Sequence, residues 1–125
     1  MGLPNQGTVL VVEDDLDVRE AMTCILNGVG YATLTADDGA AGLVHLRAGR
    51  RPDVILLDLM MPGMDGYEFR TIQLADAAFS TIPVIVLTAD RRRTLSADLG
   101  AVTFLPKPFE LDELLAAVAG ARDAC

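Results

Sequence analysis

The sequence predicts a doubly wound α/β domain, in which a five-stranded parallel sheet is covered by helices on both faces. Three observations predict this class. Five apolar runs of strand length recur along the chain, segments with helical periodicity lie between them, and several of the runs are apolar at nearly every position. Alternating helices that cover a parallel sheet bury both faces of its strands, which explains all three features.

The predicted strands are short runs, mostly rich in branched residues, that are bounded by polar residues, glycine or proline. They are Val9–Val12, Ala32–Thr35, Val54–Leu57, Val84–Leu87 and Val102–Leu105. The first, third and fourth runs are almost continuously apolar, which indicates burial on both faces. Pro83 lies at the entrance to the fourth strand.

The first and last helices have the clearest periodic signals. Apolar residues recur at helical spacing at Val18, Met22, Ile25 and Val29, and again at Leu111, Leu114, Leu115 and Val118. Asp15 or Asp17 can begin the first helix, and Gly28 and Gly30 can close it.

Size and charge limit the possible functions. The 125 residues, 51% of them hydrophobic, suffice for one domain, which we expect to span residues 1–125 with a core at about 8–123. The net charge of −8 argues against direct contact with nucleic acid, which needs clustered cations. Cys24 and Cys125 have no metal-ligand spacing, and no stretch reaches bilayer length. We therefore expect a soluble cytoplasmic protein.

Polar residues follow four of the predicted strands, at the edge where an open parallel sheet binds its ligands. They are Glu13, Asp14 and Asp15 after the first strand, Asp58 after the third, Thr88 after the fourth and Lys107 after the fifth. Carboxylates gathered without compensation repel one another, so the arrangement favours a divalent cation. Mg²⁺, or Mn²⁺ in its place, suits hard oxygen ligands, and no cluster of His and Cys favours zinc.

Asp58 can act as a nucleophile toward phosphorus and give an aspartyl phosphate. Phosphoryl transfer concentrates negative charge on the equatorial oxygens, and Lys107 and Thr88 can supply the cation and the hydroxyl donor that this charge requires.

Four fragments in this order resemble the response-regulator receiver family of two-component systems. They are Val11–Asp15, Leu57–Gly66, Leu87–Ala89 and Lys107–Phe109, and the resemblance covers nearly the whole chain. It implies a flavodoxin-like, CheY-like fold with strand order 2-1-3-4-5. It also implies a regulatory domain rather than an enzyme, one that promotes only its own phosphorylation and dephosphorylation.

The resemblance assigns roles by position. Asp58 is the phosphoacceptor, and its donor is the phosphohistidine of a histidine kinase or of a histidine phosphotransfer protein. Asp14 is a direct Mg²⁺ ligand, Glu13 acts through metal-bound water, and the backbone carbonyl of Met60 completes the protein ligands. Lys107 pairs with the phosphoryl oxygens, after a bond to Pro108 that is cis in the family.

The resemblance also implies a switch. Thr88 moves to bond the phosphoryl group and the ring of Phe104 turns inward, which biases a surface formed by the fourth helix, fifth strand and fifth helix. Met60 and Asp90 occupy the positions that tune hydrolysis of the acyl phosphate. The downstream partner stays open, as does whether the chain acts alone or belongs to a longer regulator with an output domain.

Two features depart from the family pattern. The segment from Thr88 to Lys107 is shorter by about one helical turn, which predicts a shortened fourth helix. Met60 lies at a position where other members carry an amide, and because a thioether orients water poorly, it predicts autodephosphorylation slower than in those members. Arg91–Arg93 could dock an acidic partner, although such a run is usually a solvated face. His45 is interpreted as a surface or boundary residue and not as a phosphodonor.

Three other functions compete with this interpretation. A haloacid-dehalogenase-like phosphatase also forms an aspartyl phosphate, but its motif requires a second Asp where this chain has Met60. A phosphorylation-independent interaction module would have no physical need for Asp14, Asp58, Thr88 and Lys107 together. A flavodoxin-like electron carrier would need a hydroxyl-rich phosphate loop and a flanking tryptophan, which the sequence lacks.

Overall fold

The structure is a computed structural model that describes residues 6–89 and 103–123. Its elements, numbered in chain order, are β1 (Gly7–Val12), α1 (Leu16–Gly28), β2 (Tyr31–Ala36), α2 (Gly39–Arg47), β3 (Val54–Asp58), α3 (Gly66–Ala75), β4 (Val84–Thr88), β5 (Thr103–Pro106) and α4 (Leu111–Asp123). The predicted shortened helix between the last two strands lies outside the described residues, as do Asp90, Arg91–Arg93, Val102 and Cys125.

The five strands form one sheet in the order β2-β1-β3-β4-β5, and every neighbouring pair is parallel. The predicted class and strand order are therefore confirmed. The chain reverses its direction of winding beside β1, so the carboxyl ends of β1 and β3 become neighbours at one edge.

Helices cover both faces of the sheet. One face packs against α2 and α3 in a core that includes Leu43 and Phe69, and the other packs against α1 and α4 in a core that includes Met22, Leu26 and Leu114. Residues 9–12, 54–57 and 84–87 are buried throughout, as their continuous apolarity predicts. Among the described residues, no helix is both long and apolar enough to cross a bilayer.

Aspartates begin three of the helices. The side chain of Asp15 accepts from the backbone N–H groups of Asp17 and Val18, so Asp15 is the residue that caps α1. Asp38 and Asp65 cap α2 and α3 in the same way. Capping satisfies N–H groups that have no partner within the helix and fixes where each helix starts at the edge of the sheet.

Two predicted apolar positions are not part of the core. Helix α1 ends at Gly28, so Val29 is its cap residue and is exposed. Leu111 is the first residue of α4 and is 48% exposed, whereas Leu114 and Val118 are fully buried. At both positions the periodic pattern extends to a helix terminus, where the chain no longer faces the sheet.

Two residues of α3, Arg70 and Gln73, form a buried polar pair that no periodic pattern indicates. The amide nitrogen of Gln73 donates to the carbonyls of Phe79 at 3.0 Å and Ile82 at 3.1 Å, while Arg70 donates to the Gln73 amide oxygen at 2.9 Å. Burial lowers the pKa of Arg70. These bonds satisfy backbone carbonyls in the turn that leads to β4, so they fix how α3 is joined to the sheet.

Candidate functional site

The strands bring the predicted site residues to one edge. Glu13 directly follows β1 and Lys107 directly follows β5. Asp58 and Thr88 were expected just after their strands, but each is the last residue of its strand, paired in register with Leu87 and Pro106. Backbone pairing to a neighbouring strand therefore extends to Asp58 and Thr88 and fixes the backbone from which their side chains project.

Glu13, Asp14 and Asp58 form a cluster of three carboxylates. One oxygen from each lies within 4.8 Å of the others. Glu13 is only 1% exposed and Asp58 5% exposed, while Asp14 lies at the surface. Two nearly buried carboxylates and one exposed carboxylate thus face the same small volume, an arrangement that can hold a hard divalent cation.

Glu13 is held from several directions. Its Oε1 accepts from the Lys107 ammonium at 2.7 Å, and its Oε2 accepts from the backbone N–H of Asp15 at 3.2 Å. The guanidinium of Arg19 donates to the Glu13 carbonyl at 2.7 Å. The Arg19 contact was missed by the sequence analysis, because nothing in a helical pattern shows which side chain reaches back across the helix start.

Lys107 is the only lysine of the chain and links two of the acidic residues. Its Nζ lies 2.7 Å from Glu13 Oε1 and 3.4 Å from Asp58 Oδ2. Burial acts to lower the pKa of Lys107, but the hydrogen bond to Glu13 and the charges of Asp58 and Glu13 outweigh it and raise this pKa above the ordinary 10.5. The ammonium is therefore firmly charged and offsets part of the repulsion within the cluster.

The raised pKa of Lys107 predicts a pH dependence of stability. Since the folded-state value exceeds the unfolded one, the stabilisation is fully present below pH 10.5 and is lost as pH rises through the higher folded-state value. In metal-free protein labelled with ¹³C at the lysine Cε, Lys107 is the only lysine and gives one NMR resonance. We expect the midpoint of its titration to lie above pH 10.5. In Glu13→Gln it should titrate lower. A midpoint below 10.5 in the unsubstituted protein would contradict this.

The backbone after β5 is also fixed at this edge. The N–H of Lys107 donates to the carbonyl of Thr88 at 2.7 Å, and the bond between Lys107 and Pro108 is cis. The cis bond agrees with the family pattern.

The loop after β3, residues 59–65, carries the backbone carbonyl that the resemblance assigns as a ligand. The N–H of Met60 donates to Asp58 Oδ1 at 3.2 Å, while the Met60 side chain is 69% exposed at the mouth of the site. At the end of the loop, a Cβ on Gly66 would lie 2.7 Å from the Asp58 carbonyl oxygen. Only glycine allows this approach of α3 to β3.

The predicted switch residues lie on adjacent strands. Thr88 is buried at the end of β4, and Phe104 on β5 pairs in register with Val86. Because side chains alternate along a strand, Thr88 and Phe104 face the same side of the sheet, where Phe104 packs half-buried against the α2 and α3 core. Asp90, the other predicted tuning residue, lies outside the described residues.

Two further residues lie away from the cluster. Asp15 uses its side chain to cap α1, as described above, and therefore does not join the carboxylates. His45 lies half-buried on α2, where its Nε2 donates to the carbonyl of Thr35 at 2.7 Å. Neither contact brings these side chains to Asp58.

The strand order, the acidic cluster and the lysine at the carboxyl edge of the sheet are together typical of one class of signalling domain, the receiver domain. The family model of the response regulator receiver domain matches residues 9–119. The chain therefore belongs to the response regulator receiver domain family, and it is a receiver domain of two-component systems.

Relatives agree with this assignment. The chain is 42% identical over 111 residues to response regulator MprA of Mycobacterium sp. strain KMS, covering 86% of the chain and 47% of that protein. It is 39% identical over 113 residues to the DNA-binding response regulator MtrA of Mycobacterium tuberculosis, covering 88% of the chain and 48% of that protein. The chain thus spans about half the length of these relatives.

Solved structures show the same fold. The chemotaxis protein CheY4 of Vibrio cholerae superposes with a TM-score of 0.83 at 28% identity, covering 96% of this chain and 99% of that one. The receiver domain of a signal transduction histidine kinase from Syntrophus aciditrophicus gives a TM-score of 0.84 at 34% identity, covering 94% and 91%. The predicted CheY-like fold and family are confirmed.

Proposed function

We propose that this receiver domain accepts a phosphoryl group on Asp58 from a phosphohistidine, in a reaction that depends on Mg²⁺. The observation that carries the proposal is the convergence of the buried Asp58 carboxylate, two further carboxylates and the Lys107 ammonium at one edge of the sheet. No purely structural role explains this grouping, because three carboxylates and one ammonium leave an excess negative charge at the end of the sheet.

The donor set fits Mg²⁺. Glu13, Asp14 and Asp58 offer only oxygen atoms, which are the ligands that this hard cation prefers, and Mg²⁺ commonly takes one or two carboxylates and keeps several waters. Asp14 and Asp58 would bind it directly, Glu13 would act through water, and the Met60 carbonyl would complete the protein ligands. When bound, Mg²⁺ neutralises charge on the phosphoryl oxygens and on the carboxylates.

Three residues of the protein would take part in the transfer of the phosphoryl group to Asp58. A carboxylate oxygen of Asp58 forms the new bond to phosphorus while the bond from phosphorus to the donor's imidazole nitrogen breaks, and that nitrogen keeps the electron pair. Lys107 Nζ lies 3.4 Å from Asp58 Oδ2 and would pair with the phosphoryl oxygens. The backbone N–H of Met60 already donates to Asp58 Oδ1 and keeps the carboxylate oriented.

Thr88 and Phe104 would convert this local change into a change of surface. Thr88 is the last residue of β4, on the same side of the sheet as Phe104, so a shift of its hydroxyl toward the phosphoryl group would open space that the ring can fill. The surface around β5 and its neighbouring helices would then bind or release a downstream protein. The partners are a histidine kinase or phosphotransfer protein upstream, and a separate target or an output domain downstream.

Metal binding tests the proposal first. We expect Mg²⁺ or Mn²⁺ to bind the unsubstituted protein, and Asp14→Asn to weaken binding by about tenfold or more, since it removes a direct charged ligand. The matched control is Asp17→Asn, which removes the same charge from the first turn of α1. Mn²⁺ relaxation enhancement measures both. Equal affinities in the two variants would count against the proposed ligand set.

We expect Met60 to lengthen the lifetime of the phosphorylated state. Met60→Asn would supply an amide that can orient water, and one added hydrogen bond worth about 1 kcal/mol corresponds to roughly fivefold faster loss of phosphate. Met60→Leu is the control, because it keeps an apolar side chain and should leave the rate unchanged. Release of phosphate after labelling with acetyl phosphate gives both rates, and identical rates for all three proteins would refute the idea.

The phosphatase alternative is tested by turnover. The Met60 side chain lies exposed where such an enzyme would place its second aspartate, so it supplies no general acid for a leaving group. We expect no sustained hydrolysis of p-nitrophenyl phosphate beyond a single equivalent. A module whose interactions do not depend on phosphorylation would show no phosphorylation of Asp58 by acetyl phosphate.

A further inference from the structure

We propose that Gly39 is a positioning residue for the metal site, because it fixes the loop of residues 59–65 from which the Met60 carbonyl is presented. The inference rests on the proposed function and deepens it. Gly39 is the first residue of α2, distant in sequence from every proposed ligand. It contacts the loop at Met64, not at the metal site.

The two ends of the loop are fixed by their own neighbours. At the start, the Met60 N–H donates to Asp58 Oδ1 at 3.2 Å, and Leu59 is buried. At the end, Asp65 caps α3, and the N–H of Gly66 donates to the Leu59 carbonyl at 3.1 Å. Between these ends, Met61 is buried in the core that covers this face of the sheet, so its packing already anchors part of the loop. The backbone at Met64 is fixed by a separate tertiary contact.

Gly39 supplies that contact. Its N–H donates to the Met64 carbonyl at 3.0 Å. A Cβ at this position would lie 2.8 Å from Met64 Cγ and 2.9 Å from the Met64 carbonyl oxygen. The carbonyl is backbone and cannot rotate away as a side chain can, so a Cβ would push the loop itself.

The requirement for glycine here concerns space. Gly39 is not among the described glycines with positive φ, so alanine is compatible with its backbone conformation and with the start of a helix. Asp38 accepts from the Ala41 N–H at 2.8 Å and holds the beginning of α2 in place. With the helix fixed, the strain from a Cβ would fall on the loop.

Such a displacement matters for Mg²⁺, which demands near-ideal octahedral geometry at about 2.0–2.1 Å from its ligands. Met60 lies four residues before Met64 in the same short loop. We expect a shift of a few tenths of an ångström at Met64 to be passed along these four residues, in part, to the carbonyl that we propose as a ligand. We expect Gly39→Ala to lower Mg²⁺ affinity by about tenfold or more, the loss typical of removing support behind a ligand.

Gly42→Ala is the matched control, because it makes the same substitution three residues later in α2. Its Cβ would meet Phe69 at 3.0 Å and Val12 at 3.2 Å in the core, with no loop atom among the nearest contacts. We expect Gly42→Ala to lower the melting temperature but to keep Mg²⁺ affinity within about twofold of the unsubstituted protein. Stability and metal affinity should thus separate between the two variants.

The experiment is a Mg²⁺ titration of the folded proteins, followed through the amide resonances of residues 58–61, with thermal melts alongside. Adding Met64→Ala to Gly39→Ala removes the Cγ and Sδ contacts but leaves the contact with the backbone carbonyl, so it should recover about threefold of the lost affinity and not all of it. The inference is overturned if Gly39→Ala binds Mg²⁺ as tightly as the unsubstituted protein, or if Gly42→Ala loses as much affinity. If the unsubstituted protein binds no Mg²⁺, the proposed function itself fails.

Discussion

Lys107→Met should tighten Mg²⁺ binding and at the same time slow phosphorylation of Asp58. The ammonium occupies Glu13 Oε1 at 2.7 Å and opposes a second cation in the cluster, so its removal should raise Mg²⁺ affinity by about fivefold or more. The same removal takes away the cation placed to stabilise the phosphoryl oxygens, which should slow transfer by about 100-fold. Metal titration and the rate of labelling by acetyl phosphate measure the two effects.

The same variant should lose stability in metal-free buffer. Glu13 and Asp58 would keep buried charges without their ammonium partner, at a cost of about 2 kcal/mol in the free energy of unfolding. Arg47→Met changes the net charge equally at an exposed position on α2 and should cost less than about 0.5 kcal/mol.

If Lys107→Met weakened Mg²⁺ binding, the proposed competition between lysine and metal would be wrong.

Phe69→Ala should have the largest effect on stability. The ring is fully buried on α3, in the core that joins α2 and α3 to the sheet, so its removal should cost about 3–5 kcal/mol. Leu74→Ala is the control on the same helix, because that side chain is 44% exposed and its removal should cost less than about 1 kcal/mol.

Urea denaturation measures the free energy of unfolding of both variants, provided that its dependence on urea concentration is the same as in the unsubstituted protein. A difference of less than about 1 kcal/mol between the two variants would show that the core at α3 tolerates a cavity of this size, contrary to the packing described here.

Local patterns in the sequence predicted the class of fold and the placement of Asp14, Asp58, Thr88 and Lys107 at one edge of the sheet, whereas the strand order was implied by the resemblance to the receiver family. The predicted apolar runs end one residue too early in four strands, and in β3 and β4 the missed residue belongs to the candidate site. Asp58 and Thr88 are polar, and a search for apolar runs stops before them, yet both take part in the backbone ladder. Similarly, Leu111 fits a helical period but lies where α4 has not yet reached the sheet.

Other features could not be predicted, because they depend on contacts between distant segments. The ion pair of Glu13 with Lys107 joins residues 94 positions apart. The bonds from Gln73 to two carbonyls, and the approach of Gly39 to Met64, depend on how helices dock on the sheet. A single sequence contains the residue types for these contacts but not the distances between them.

Intact mass after incubation with Mg²⁺ and acetyl phosphate shows whether Asp58 accepts a phosphoryl group. We predict one phosphate-sized adduct, absent from Asp58→Asn and from samples with excess chelator, and reduced by borohydride to a homoserine at position 58, as an acyl phosphate requires. An adduct that persisted in Asp58→Asn, or no adduct with acetyl phosphate and phosphoramidate alike, would contradict the account.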